Sequence, residues 1–326
     1  MTNRLNVVAI GNAIVDVVAQ VDDDFLQANG VDRGVMTLID ETRARSLYDA
    51  MPPAREISGG SAANTAAAAA GLGASAGFIG TVREDTLGKI FSHDIQAIGV
   101  EYRGPFTSGG PETSRCLVLV SPNGDRSMNT FLGASTELLA ADLDIDMLRR
   151  GDWLYLEGYL FDTAEAKQAY ARAIEATREG GGRTSITLSD PFCVDRHRDD
   201  FRRLIASDID LLFANRDELL SLYQTDDLES ALDKVAEDCD LAAITMSEDG
   251  AVIVRGDQRS RVGAKPVDVV DTTGAGDMFA AGFLAGLSQG ADDARAAEMG
   301  CAVAGHIIGQ IGARSEADLK DLVAAA

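Results

Sequence analysis

The stretch VDVVDTTGAGDMFAAGFLAGL, residues 267–287, leads from β-branched residues through three small ones to an aspartate and an apolar run with helical character. Gly274, Ala275 and Gly276 strip the start of that helix of bulky side chains. A bare helix start leaves backbone amides unpaired, and such amides can hold an anion. Asp277, in the first helical turn, is not needed for that and would repel a phosphate. Its carboxylate fits a reaction in which a proton leaves a nucleophile while negative charge builds on a neighbouring group. Transfer of a phosphoryl group to an alcohol makes both demands. The competing structural reading is a carboxylate favoured by the helix dipole.

EISGGSAANTAAAAAGLG, residues 56–73, again sets a glycine pair, Gly59 and Gly60, ahead of a helix. Ser61 and Asn64 fall one turn apart and can present polar groups on one side. A plain N-cap by Ser61 is the alternative. Asn64 inside an alanine helix is costly unless it has a partner. Two glycine motifs are rejected on context. GLGASA, residues 71–76, follows a helix where a dinucleotide fingerprint would open one, so its glycines read as a helix stop. LGKI, residues 87–90, resembles the end of a phosphate loop, but Arg83 stands where glycine is required and Ile90 where Ser or Thr is.

The elements that must position these groups alternate. NVVAI, AGFIGTV, DWLYLEG, RTSITLS, IDLLFAN and LAAITMS read as buried strands separated by helical stretches, which implies a parallel α/β sheet with right-handed crossovers. A further short strand is expected just before Asp271, followed by helices over 276–290 and 294–308. Residues 13–40 and 101–129 contain strand patterns without helices between them, the second split by the turn SPNGDR. They are expected to form a small antiparallel sheet inserted into the main domain as a lid over a cleft.

Composition excludes several functions. The 326 residues are 46% apolar but only 6% aromatic, which suits Ala-, Val-, Ile- and Leu-rich helices on a parallel sheet. A net charge of −23 argues against binding a nucleic-acid backbone. The four cysteines are scattered without a CxxC pair and read as reduced thiols. The N-terminus enters a strand pattern with no signal core, and the alanine run at 62–70 is too short to span a bilayer. A soluble cytoplasmic protein with no membrane partner is the expectation.

DTTGAGDMFAAGFLAGL and GGSAANTAAAAAGLGASAGFIGTVREDTLGK together resemble the two signature regions of the ribokinase-like (PfkB-type) carbohydrate and nucleoside kinases, and the likeness extends over essentially the whole chain. The resemblance implies a three-layer α/β/α domain with a mostly parallel sheet (1–12, 41–100 and 130–326) and a small β-sheet lid (13–40 and 101–129). It implies ATP and Mg2+, with Asp277 as catalytic base and Gly274, Ala275 and Gly276 supplying anion-hole amides. NRDE, residues 215–218, is similar to the family's NxxE motif, which makes Asn215 and Glu218 candidates for organising magnesium and phosphate; spacing alone gives a solvated helix start. Thr245, Ser247 and Thr273 fall on the ATP side, although the family often has glycine where this chain has Ser247. Asp271 and Thr273 raise a monovalent-cation site, for K+.

GNAIVD, residues 11–16, resembles the adenosine-kinase branch and places Asn12 and Asp16 at a nucleoside ribose, beside Gly60, Ser61 and Asn64. Asp16 interrupts an apolar strand, and its carboxylate can accept from a vicinal diol. Tyr159 and Phe161 are candidates to pack on a base, with core packing as the alternative. Arg126, read as a residue of the lid turn, either reaches phosphates or is solvated. The expected activity is transfer of the γ-phosphate to the 5'-hydroxyl of a nucleoside, adenosine first. The alternatives are a sugar kinase for ribose, fructose or a related acid, and a non-catalytic nucleoside-binding module. A monomer or homodimer whose partners are ATP and one small acceptor completes the expectation.

Overall fold

The computed structural model describes residues 3–315 and 317–324. Its main sheet has nine strands in the spatial order Gln258–Val262, Ala251–Arg255, Leu241–Thr245, Leu211–Asn215, Arg183–Thr187, Gly151–Glu157, Leu5–Ile10, Ala76–Ile79 and Glu101–Tyr102. From Leu241–Thr245 to the Glu101–Tyr102 edge all neighbours pair in parallel, and only the other end is antiparallel.

Alternation along the strands divides the core. Val7 and Ala9 face helices Ser61–Gly71, Ala275–Ser288 and Asp293–Ile308, whereas Val8 and Ile10 join the apolar residues of Ala164–Glu179 and Pro191–Asp208. The result is the expected three-layer α/β/α arrangement. Both rejected glycine motifs are accounted for. Gly73, at φ +91, sits just past the helix Ser61–Gly71, and LGKI lies within the helix Thr86–Ala97.

The second sheet runs in the order Met36–Leu38, Arg126–Phe131, Ser114–Val120, Ile14–Gln20 and Arg55–Gly59. It corrects the expectation in three respects. Residues 55–59, expected in the main domain, supply an edge strand of this sheet. Glu101–Tyr102 belongs to the main sheet, and Phe106–Thr107 pairs with Val82–Arg83 in a separate two-stranded ladder. The second sheet is also mixed, since Ile14–Gln20 is parallel to Ser114–Val120 and Met36–Leu38 is parallel to Arg126–Phe131. Strands of two to five residues with polar ends carry too little alternation to declare their sheet. A short helix, Asp23–Ala28, also falls where none was expected.

One face of this sheet, with Val15, Val17, Leu117 and Leu119, is buried against helices Glu41–Ala50 and Thr86–Ala97. The register puts Asp16 and Arg126 on the other face, because Asp16 lies opposite Cys116, Cys116 opposite Thr130, and side chains repeat every second residue.

A further correction concerns the approach to Asp277. Residues 263–271 form no strand, and Val267, Val269 and Val270 are exposed. These β-branched residues pair with no strand; the amides of Val270 and Asp271 bond instead to the carbonyl of Ile308, the last residue of the helix Asp293–Ile308.

Candidate active site

The parallel strands end on one side of the sheet, where open α/β sheets form their ligand crevices. Glu157, Thr187, Asn215 and Thr245 stand at these carboxyl ends, with Asn12 just beyond Ile10. Helices Ser61–Gly71 and Ala275–Ser288 point their first turns at the same region and pack on one another.

Gly274 caps the second of these helices with φ +79, which places Asp277 at its third position. Ser61 Oγ donates to Asp277 Oδ1 at 2.6 Å, and Asn64 Nδ2 donates to Oδ2 at 3.2 Å. Asn64 therefore has the partner its position demanded. Ser61 is not the cap of its own helix; Gly60 is, which leaves the Ser61 hydroxyl free for Asp277. Burial pushes the Asp277 carboxyl up to about 6, against the opposing pull of Ser61, Asn64 and the charge of Arg314. The space where a Cβ on Gly276 would lie is open, so a ligand can approach that backbone.

Asp16 is also raised to about 6 by burial and by the charge of Asp277, while Arg314 and Arg126 oppose the rise. The glycine pair makes room for this group. A Cβ on Gly59 would stand 2.4 Å from Asp16 Oδ2, and one on Gly60, at φ +97, would stand 2.1 Å from the Asn12 carbonyl. Asn12 is held by Glu157, whose Oε1 accepts from the Asn12 amide at 3.3 Å and from Nδ2 at 2.6 Å. Glu157 Oε2 accepts from the Ala62 amide at 2.8 Å, and Ser135 Oγ donates to Asn12 Oδ1 at 2.7 Å. Glu157 was missed in the sequence. A carboxylate ending the apolar strand WLYLE was the available signal.

Arg126 is the first residue of its strand, not part of the turn, and its guanidinium pairs with Asp271. Asp271 also accepts from the amides of Thr273 and Gly312, each at 2.9 Å. Burial works to raise Asp271, but these bonds and Arg126 outweigh it and hold the carboxyl below its usual range. Arg314 is an isolated arginine in the sequence, with no motif around it to mark it. Its Nε donates to Asn64 Oδ1 at 3.0 Å.

On the other flank Asn215 and Glu218 form a capping box. Asn215 Oδ1 accepts from the Glu218 amide at 2.8 Å, and Glu218 accepts from the Asn215 amide at 2.9 Å and from Nδ2 at 2.6 Å. Glu218 is buried, not solvated, and burial raises it to about 7. Ser247 has φ +52, a left-handed backbone that favours glycine, which gives the family's usual residue there a physical reason. Tyr159 is partly exposed, and its hydroxyl donates to the Ser189 carbonyl at 3.2 Å. Phe161 is core, stacked on Phe201 at 4.7 Å between centroids, so it is not available to a base.

Among the described residues no cluster of three or more His, Cys, Asp or Glu side chains could hold a metal ion, and no helix is long and apolar enough to cross a membrane. Mg2+ at phosphates is characteristically held by one or two carboxylates, water and the phosphates themselves. The buried Asn215–Glu218 pair fits such an indirect role, because its oxygens already accept protein hydrogen bonds.

Residues 5–320 match the family model described as pfkB family carbohydrate kinase. The chain belongs to this family. PfkB-family membership makes it an ATP-dependent kinase of a small sugar or nucleoside. Among solved structures of pfkB-like fold, it is similar to a probable sugar kinase from Rhizobium etli (47% identity, TM-score 0.90, 99% of each chain). It is equally similar to an adenosine kinase from Sinorhizobium meliloti (47%, 0.89, 99% of each). An ATP-dependent ribose-1-phosphate kinase from Halopiger xanaduensis is 35% identical over 83% of this chain and 86% of its own.

Proposed function

We propose that this kinase transfers the γ-phosphoryl group of ATP to the 5'-hydroxyl of a nucleoside, with adenosine as acceptor. The observation that carries the choice of a nucleoside is the face of the second sheet that bears Asp16. Around that one carboxylate lie Ile14, Val18, Val118 and Met128, and the edge strand adds Met36 and Leu38, which are 52% and 61% exposed. A free sugar is polar all round and gains little from such a surface. A nucleoside has a diol for Asp16 and a flat base to cover the apolar residues.

In this reading Asp277 takes the proton of the 5'-hydroxyl as the oxygen bonds to the γ-phosphorus. The bond from that phosphorus to the β–γ bridging oxygen breaks, and ADP leaves. The amides of Gly274 and Gly276 receive the growing charge on the phosphoryl oxygens, joined by that of Ala275 once it leaves the Thr272 carbonyl, to which it donates at 3.2 Å. Asn12 and Asp16 hold the ribose beside Gly60, Ser61 and Asn64. Tyr159, Thr245, Ser247 and Thr273 flank the cleft. Magnesium would neutralise phosphate charge, with Asn215 and Glu218 ordering its waters. Arg126, released from Asp271, would reach the phosphates. A monovalent cation at Asp271 and Thr273 would have to compete with Arg126 for the same carboxylate.

The experiment is a coupled ADP-release assay across adenosine, other nucleosides, ribose, fructose and ribose 1-phosphate. Adenosine and ribose 1-phosphate share a ribofuranose with a free 5-hydroxyl and differ in what they present to the apolar face. The highest kcat/KM is expected for adenosine. A higher value for fructose, ribose or ribose 1-phosphate would overturn the nucleoside assignment.

A further inference from the structure

Arg314 brings an otherwise unassigned cation into the site. Its side chain is 15% exposed and stands among three carboxylates, those of Asp94, Asp16 and Asp277. Arginine can only donate, so the bond from its Nε obliges Asn64 to turn its carbonyl oxygen toward Arg314. The Asn64 amide nitrogen is then left to face Asp277, where it donates to Oδ2. One orientation of one amide thus couples Arg314 to the base.

The rest of the guanidinium is unused. Among the described residues Nη1 and Nη2 are buried and have no hydrogen-bond partner, and Asp94 Oδ2, at 3.9 Å from Nη1, is the one carboxylate oxygen within 4 Å. Asp94 is itself engaged, its Oδ2 accepting from the Ser58 amide at 2.8 Å and from Ser58 Oγ at 2.6 Å. Buried donors are normally satisfied, and an unsatisfied charged pair points to a group that completes it. The Arg314 guanidinium interacts with the charges of both Asp16 and Asp277, the two groups that would hold the diol of an acceptor and its reacting hydroxyl.

We propose that Arg314 is an acceptor-binding residue, its two free Nη groups donating to hydroxyl oxygens of the acceptor, and that through Asn64 it also positions Asp277. This inference rests on Asp277 being the base of a phosphoryl transfer, not on which ribofuranosyl compound is the acceptor. Neutral substitution removes two donors from the acceptor and one positive charge from the surroundings of Asp277. The other titratable groups felt there are Asp16, Glu157, Tyr155 and Tyr159, all of which disfavour further negative charge.

The test compares Arg314→Met and Arg314→Lys with the wild type. For Arg314→Met the acceptor KM is expected to rise at least about tenfold with the ATP KM unchanged. Its acid limb of kcat should move to higher pH. Arg314→Lys keeps the charge without the fork, so it should restore the acid limb but not the acceptor KM. Nucleotide binding by calorimetry reports whether each variant is folded, and ethylguanidinium added to Arg314→Ala should recover part of the lost affinity if Arg314→Met does not fold. An acceptor KM within twofold of wild type in a folded neutral variant overturns the binding role.

If the wild type turns over no ribofuranosyl compound, the function proposed above fails by itself. The positioning role is then read by carbon-13 titration of the Asp277 carboxyl, assigned with Asp277→Asn. A midpoint that rises in Arg314→Met supports it, and an unmoved midpoint overturns it.

Discussion

Ser61 and Asp277, 216 positions apart in sequence, are joined by a 2.6 Å hydrogen bond from the Ser61 hydroxyl to Oδ1 of the aspartate. The bond ties together the first turns of two helices and leaves Asp277 half-buried and partnered. A carboxylate raised to about 6 in such a place is ionised at neutral pH yet still basic enough to take a proton.

Asp277→Asn keeps the shape of the side chain and removes its basicity. Turnover should fall by about 10²–10⁴-fold while acceptor binding changes little. Steady-state rates with calorimetric acceptor binding test this; turnover within a few-fold of wild type would exclude Asp277 as the base.

The same group sets the acid limb of the rate profile. A base must be unprotonated, so kcat should be lost as pH falls through about 6. A profile flat down to pH 5 would contradict the assignment.

Stability should run the other way over this range. Asp16 and Asp277 are raised from 3.8 to about 6, and Glu157 and Glu218 from 4.5 to about 7. Groups whose folded pKa is raised bind more protons in the folded state, so their stabilising contribution is full below the unfolded values and is lost as pH rises through the folded ones. The Tm should therefore be higher at pH 5.5 than at pH 8. Asp16→Asn/Asp277→Asn should lose part of that difference, and an unaltered difference would remove these two groups from the account.

Asp16→Ala should raise the acceptor KM far more than the ATP KM. It removes a charged hydrogen-bond acceptor, and each such bond is worth about 1.5–3 kcal/mol. Equal changes in both constants would make Asp16 structural.

Ser247→Gly relieves a left-handed backbone that costs a side-chain-bearing residue about 1–2 kcal/mol, offset by glycine's greater chain entropy of about 0.5–1 kcal/mol. Denaturant melts should show a gain of up to about 1.5 kcal/mol. A loss would mean that the hydroxyl has a role the backbone conformation does not reveal.

Closure of the second sheet on the acceptor would exclude water from the cleft. Hydrogen exchange should slow over 14–20, 55–59, 114–120 and 126–131 when adenosine saturates the enzyme, whereas Glu101–Tyr102, a strand of the main sheet, should serve as an unmoved reference. Unchanged exchange in all four strands would leave a static cover.

The sequence by itself determined the layered α/β class, because buried strands alternate with amphipathic helices at spacings only parallel crossovers satisfy. It also singled out Asp277, Ser61 and Asn64, since small residues before a helix and a polar residue inside an alanine run are costly without a purpose. Tertiary structure alone decided what these residues meet. Residues 267–270 have strand chemistry but join no sheet; the amide of Val270 bonds to the end of the helix Asp293–Ile308, so they remain a loop. Arg55–Gly59 lacks strand periodicity, yet it pairs with Ile14–Gln20 and brings Gly59 against Asp16. Arg314 and Glu157 bond to partners 250 and 145 residues away, Asn64 and Asn12. A hydrogen bond depends on approach within a few ångströms, and no local pattern encodes which distant chain segment will supply the other atom.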